Sequence, residues 1–280
     1  MTGAQPIVTL NDGTKIPQLG FGVWEIGDDE ATSVLLAAFA AGFRHVDTAQ
    51  AYGNERGVGR AVRESGLKRD ELFVTSKLRT GDFRYDDARR SFDNTMERLG
   101  LDSLDLFLLH WPVPEHDGLF VEAFRALVDI RKEGRLRAIG VSNFLPEHLE
   151  RLVGETGVTP VVNQLELHPH FQQRDIRAAH EEMGIAIQSY SPLGRGAVLR
   201  DPVIAGIARA HGRSPAQIII RWHLQQGLIV LPKTGTLSRV AENFNVLDFE
   251  LTASEMAAMR SLDKPNGKLL PDPRTMNTLF

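Results

Sequence analysis

The stretch Gly20-Phe21-Gly22-Val23-Trp24-Glu25 decides between two folds. It closes the first long apolar run of the chain. There, a doubly wound open sheet that binds a dinucleotide carries three glycines: one for the tight turn, one for approach of the pyrophosphate and one for helix packing. The third glycine is missing here, and Gly57-Val58-Gly59 and Gly194-Arg195-Gly196 fail at the same place. No Walker-type phosphate loop occurs either. Outward from this stretch, a short apolar run followed by an amphipathic stretch recurs along the whole chain. The runs are Gln18–Gly22, Phe43–Asp47, Leu72–Ser76, Leu104–His110, Ala138–Ser142, Val161–Glu166, Ile185–Tyr190 and Leu228–Pro232. Their length and β-branched content suit strands buried on both faces. Eight such strands alternating with helices predict an α/β fold, a (β/α)8 barrel, rather than an open sheet.

Helix signals fill the intervals. Asp29 is expected to cap a helix carrying Val34, Leu35, Ala38 and Phe39, with Gly42 as its stop. Pro146 opens another, and Ser214-Pro215 a third that ends at Gly227, since proline at the first helical position lacks an amide hydrogen that would go unpaired anyway. Ile7–Leu10, the turn Asn11-Asp12-Gly13 and Thr14–Pro17 read as an N-terminal β-hairpin able to plug the bottom of the barrel. No linker or charge block divides residues 1–280, so a single domain is expected.

Composition excludes several classes. The 280 residues are 42% apolar, enough for a large core, and the net charge of −4 argues against a nucleic-acid binder. There is no cysteine, which removes disulfides, thiolate nucleophiles and cysteine-bound metals. Residues 1–15 lack a signal-peptide layout, and no run approaches the ~20 apolar residues of a membrane helix. A cytoplasmic monomer without membrane or nucleic-acid partners is the expectation. His168-Pro169-His170 invites a metal reading, but no third ligand stands at metal-like spacing, so no metal site is predicted.

Chemistry enters at the strand ends. Asp47, Lys77, His110, Ser142 with Asn143, Gln164, Tyr190 and Lys233 each stand where a predicted strand finishes. In this fold those ends form the active-site face. Singly, Asp47 could be a helix cap, His110 a core histidine and Lys77 a solvated strand end. Seven such ends together point to a site.

The motifs that hold these residues resemble those of the aldo-keto reductases over nearly the full length. They are Gly42-Phe43-Arg44-His45-Val46-Asp47-Thr48-Ala49 with Tyr52-Gly53-Asn54-Glu55, then Thr75-Ser76-Lys77, then Leu108-Leu109-His110-Trp111-Pro112. Ile139-Gly140-Val141-Ser142-Asn143-Phe144, Val162-Asn163-Gln164 and Leu231-Pro232-Lys233 with Arg239, Glu242 and Asn243 complete the set. The resemblance implies a catalytic group of Asp47, Tyr52, Lys77 and His110. It implies NADPH as cofactor, with Gly22, Val23, Trp24, Ser191 and Leu193 along its length. Ser142, Asn143 and Gln164 would then hold the nicotinamide carboxamide, and Tyr190 would stack on the ring. Lys233, Thr234 and Arg239 would surround the adenosine 2′-phosphate, with Glu242 and Asn243 near the adenine. Trp24, Tyr52, His110 and Trp111 would line the mouth for a small carbonyl substrate. The short Pro112–Asp117 connection and the short tail after Asp272 resemble the bacterial branch that reduces diketo-sugar acids, dicarbonyls and aldehydes.

The proposed group also makes chemical sense by itself. Hydride addition to a carbonyl leaves charge on oxygen, which needs a proton. A free tyrosine titrates near ~10, and an ammonium beside it is expected to pull that value down. Asp47 should keep Lys77 charged, and His110 should orient the carbonyl and its developing oxyanion. Two other readings compete. One is a non-catalytic NADPH-sensing module of the potassium-channel β-subunit kind, separated from an enzyme by turnover. The other makes Lys77 a Schiff-base former, a role that Asp47 opposes by holding the amine protonated.

Overall fold

The computed structural model describes residues 5–116 and 118–280. The chain opens with the predicted hairpin, β1 (Ile7–Thr9) and β2 (Lys15–Pro17), paired antiparallel. Next come β3 (Phe21–Gly22) with α1 (Asp28–Ala41), β4 (His45–Asp47) with α2 (Glu55–Glu64), and β5 (Phe73–Leu78) with α3 (Tyr85–Leu99). They are followed by β6 (Leu104–Leu109) with α4 (Leu119–Lys132), β7 (Leu136–Ser142) with α5 (Pro146–Thr156), and β8 (Val162–Glu166) with α6 (Arg174–Glu182). After β9 (Ala186–Tyr190) come α7 (Pro202–His211) and α8 (Pro215–Gln225); β10 (Ile229–Val230) precedes α9 (Leu237–Phe244) and α10 (Ala253–Arg260).

Strands β3 to β10 pair in chain order, all parallel, and a parallel bridge from Leu19 to Val230 joins the last strand to the first. The amide of Gly20 donates to the carbonyl of Val230 (2.9 Å), and the amide of Val230 to that of Gln18 (2.8 Å). The predicted (β/α)8 barrel is therefore the observed fold. All six residues of β6 are buried, as a strand covered on both faces requires.

The hairpin sits at the N-terminal end of the barrel. Leu10 and Ile16 pack with Phe73, Leu106, Leu108, Ala138, Val162 and Ile229 in one apolar cluster, and Asn11 donates to the carbonyl of Pro160. One end of the barrel is thereby filled with hydrocarbon, and the polar chemistry is left to the other.

Two expectations need correction. Asp29 is not a cap: Gly27 occupies that position, and Asp29 projects from the first turn of α1, where a carboxylate still favours the helix dipole. Lys77 does not end its strand, because β5 continues to Leu78, which pairs with Leu109. Gly57 and Gly59, glycines without a nucleotide fingerprint, serve close packing. A side chain on Gly57 would meet the carbonyl of Asp28 at 2.0 Å, and one on Gly59 the carbonyl of Leu99 at 1.9 Å. Of the short connection expected at Pro112–Asp117, Asp117 lies outside the described residues, as do residues 1–4 of the N-terminal stretch.

Candidate active site

Strand β4 carries Asp47 to the C-terminal face, and a single 3-10 turn, Gln50–Tyr52, brings Tyr52 back over it. Lys77 projects from β5 with 1% of its surface exposed. Its Nζ donates to Asp47 Oδ2 at 2.7 Å, to the carbonyl of Thr48 at 2.9 Å and to the Tyr52 hydroxyl oxygen at 3.3 Å. An ammonium has three hydrogens, so each has an acceptor. Burial pulls the Lys77 pKa down while the Asp47 carboxylate pushes it back up. With every hydrogen engaged and no face on the cavity, Lys77 is poorly placed to form a Schiff base.

The expected lowering of the Tyr52 pKa is not what the site does to it. Burial drives it well above its ordinary value, and the negative charge of Asp47 adds to the rise. Desolvation penalises the phenolate, and the nearby carboxylate of Asp47 repels it. Tyr52 therefore keeps its proton in the resting site. His110 follows the end of β6 and stands with its ring centre 5.9 Å from that of Tyr52. Burial, then the charge of Lys77, holds His110 well below its usual range, so the imidazole is neutral. Its Nδ1 is buried without a partner among the described residues.

The floor of the site is a network. Gln164 Nε2 donates to Asp47 Oδ1 and to Gln188 Oε1, both at 2.7 Å. Gln188 Nε2 approaches His45 Nε2 (3.2 Å), whose Nδ1 faces the carbonyl of Pro17 (3.2 Å). A carbonyl only accepts, so the Pro17 side fixes the His45 tautomer, and that fixes which end of the Gln188 amide faces Gln164. Both hydrogens of Gln164 are used inward. The side-chain hydrogen bonds of Gln164 among the described residues all run through Nε2, which leaves Oε1 unengaged on a residue that lines the cavity. Beside it, Asn143 Nδ2 donates to the carbonyl of His110 and to Ser142 Oγ (both 3.1 Å), and Asn143 Oδ1 accepts from the Tyr190 hydroxyl at 2.7 Å. Ser142 Oγ donates to the carbonyl of Gln164.

These groups open into a cavity of about 910 Å³. Trp24, Tyr52, His110 and Trp111 line it, as do Gly22, Ser191, Leu193 and Lys233, with Asp47, Ser142, Asn143, Gln164 and Tyr190 also in the wall. The cavity thus gathers most of the residues singled out by sequence. Val23 is fully buried and does not line it. Its amide donates to the carbonyl of Asp47 and its carbonyl accepts from Asn54, so it holds backbone in place. Thr234, Arg239, Glu242 and Asn243 lie beyond the lining, on the loop after Lys233 and on α9. Thr234 Oγ1 accepts from the amide of Thr236, and Arg239 is exposed with no side-chain partner among the described residues.

Glu25 and Arg195 stand in the wall without a site role read from sequence. Glu25 (φ 56°), Asn143 (φ 65°), Ser191 (φ 47°) and Arg195 (φ 51°) hold left-handed backbone, unusual for non-glycine residues and frequent at functional sites. Arg195 pairs with Glu25 at 3.3 Å and lies 4.8 Å from the centre of the Trp24 ring, while Lys233 Nζ donates to the carbonyl of Glu25. The C-terminal segment forms another wall. Leu270 and Phe280 line the cavity, with the Phe280 ring edge-on to His110 at 5.5 Å between centres. The placement of Met276–Phe280 could not be read from sequence; here the segment lies across the mouth, bonded to Thr80, Gly81, Glu115 and His116.

Comparison with known proteins gives the chain its family. The model of the "Aldo/keto reductase family" matches residues 18–264. An aldo-keto reductase of Mycolicibacterium smegmatis is 50% identical over 273 residues, 97% of this chain and 98% of the relative. Methylglyoxal reductase DkgA of Escherichia coli K12 is 46% identical over 270 residues, 95% of this chain and 96% of the relative. Among solved structures, a mutant of Gox0644 in complex with NADPH superposes with a TM-score of 0.94 at 46% identity, covering 98% of this chain and 99% of that one. The chain belongs to the aldo/keto reductase family and is an oxidoreductase. Among the described residues, no helix is long and apolar enough to cross a membrane.

Proposed function

We propose that residues 1–280 act as one catalytic domain that reduces small aldehydes, ketones and dicarbonyls to alcohols, with NADPH as hydride donor and Tyr52 as proton donor. The observation that carries this reading is the buried Lys77 ammonium, bonded at once to Asp47 and to the Tyr52 oxygen beside an open cavity.

The cavity suits the cofactor. Gln164 Oε1 is a spare acceptor for a carboxamide, Tyr190 presents an aromatic ring, Lys233 is a cation on the approach to α9, and Arg239 is one in the first turn of that helix, whose N-terminus favours anions. The relative solved with NADPH supports the same choice. When bound, NADPH would supply the hydride that the carbonyl carbon needs. Tyr52 gives its hydroxyl proton to the carbonyl oxygen as charge develops there. Lys77, already donating to that phenolic oxygen, stabilises the phenolate that remains. Asp47 keeps Lys77 ionised, and neutral His110 steers the carbonyl without competing for the proton. Trp24, Trp111, Leu270 and Phe280 exclude water from the reacting atoms.

The relative named methylglyoxal reductase suggests the first substrate. Loss of NADPH absorbance should follow addition of methylglyoxal or benzaldehyde to the purified protein. Tight NADPH binding without turnover of any carbonyl would instead favour a sensing role.

A further inference from the structure

Glu166 is a buried carboxylate that the chemistry above does not use. It ends β8 two residues after Gln164, on the same face of the strand, with 3% of its surface exposed. Its Oε1 accepts from the amide of Leu269 at 2.7 Å and its Oε2 from the amide of Leu270 at 3.1 Å. His168 Nε2 stands 3.2 Å from Oε1. Burying a carboxylate is costly unless it is well bonded, and two of its three partners are main-chain groups of the C-terminal segment.

That segment is pinned at both sides of the mouth. On the β8 side, besides Glu166, the amide of Lys264 donates to the carbonyl of His170 at 3.1 Å, and Gly267 lies so close that a side chain there would meet that carbonyl at 1.7 Å. On the opposite side, Thr80 Oγ1 donates to the carbonyl of Thr278, and the amide of Gly81 to that of Phe280. Between the two anchors the segment places Leu270 and Phe280 in the cavity wall.

We infer that Glu166 is a positioning residue for carbonyl specificity: it latches residues 267–280 across the mouth and so sets how closely Leu270 and Phe280 approach a bound substrate. The inference rests on the proposed carbonyl reduction. Phe280 stands beside His110, so any bound carbonyl passes it, but a bulky apolar group covers far more of this wall than the methyl group of a three-carbon dicarbonyl does.

The test is Glu166→Gln, which keeps the size but faces one backbone amide with an NH2 group. KM for benzaldehyde should rise about tenfold, the scale of one charge-assisted hydrogen bond. KM for methylglyoxal, kcat for both substrates and NADPH affinity should stay within about twofold. In a Phe280→Ala background the same substitution should add less than about twofold to the benzaldehyde KM, because the wall it positions is already gone. Leu269→Pro, which deletes one donor from a half-exposed position outside the barrel, should reproduce the KM change if Glu166→Gln folds poorly. Unchanged benzaldehyde KM in Glu166→Gln, or a full tenfold penalty persisting in the Phe280→Ala background, would overturn the latch. If wild-type protein reduces neither carbonyl, the functional reading fails, and limited proteolysis decides the latch alone. Faster cleavage within 267–280 in Glu166→Gln supports it, and an unchanged rate refutes it.

Discussion

At the Tyr52 end of the cavity every hydrogen of Lys77 has an acceptor, both hydrogens of Gln164 are committed, and the charged pair is almost sealed from water. At the far end Arg239 is exposed and free of partners among the described residues, and Lys233 makes one long bond to the carbonyl of Glu25. Under the proposed function, the contrast follows from what each end would have to do. Proton transfer needs donors fixed before the reaction begins, since reorganising dipoles during it adds to the barrier. Binding a phosphate needs donors not already satisfied, since breaking an existing ion pair would offset the gain. One end stores its order in the fold, and the other leaves its donors largely unengaged.

The sharpest way to break this comparison is Lys77→Met. It should cut carbonyl reduction by a factor of about 10² to 10³ and, because Asp47 is left buried and unpaired, lower stability by about 3–5 kcal/mol. Adding Asp47→Asn should restore most of the stability and none of the activity, as read by urea melts and initial rates. If the double variant remained as unstable as the single one, the ion pair would not be what the fold is protecting.

Arg239→Ala probes the opposite end. NADPH affinity should fall about tenfold or more, NADH affinity should barely move, and stability should change by no more than about 0.5 kcal/mol. Equal weakening of both nucleotides in fluorescence titrations would remove the phosphate role from Arg239.

A smaller effect concerns the polar floor. Burial lowers the His45 pKa to about 3, with the Pro17 carbonyl opposing and Lys77 assisting. An unfolded His45 titrates near ~6.5. Between those values the unfolded chain binds a proton that the fold refuses, so this stability is complete above the unfolded value and declines as pH falls. The slope is about 1.4 kcal/mol per pH unit at most. In urea melts from pH 7 to 5, His45→Gln should show a shallower loss than wild type. Identical slopes would place the acid sensitivity elsewhere.

What could be read from sequence followed the strand period. Asp47, His110, Ser142 and Tyr190 were visible because an apolar run ending in a polar group has few uses at that end of a barrel, and Gln164 because it is a polar residue two places from such an end. Glu166 carried the same signal, alternating with Gln164, but was read only as the last residue of a strand. Leu270 and Phe280 gave none, since a segment without helix or strand period does not say which way its side chains face. The sign of the Tyr52 shift was missed for a different reason. The expectation weighed Lys77 alone, whereas burial and Asp47 act together on the phenol.

The most direct test of the central claim is the rate of NADPH oxidation with methylglyoxal by wild type and by Tyr52→Phe, each with its NADPH affinity measured. The account predicts turnover by the wild type, a loss by a factor of about 10² to 10⁴ in the variant and nearly unchanged NADPH binding. Comparable rates in the two proteins would show that Tyr52 is not the proton donor.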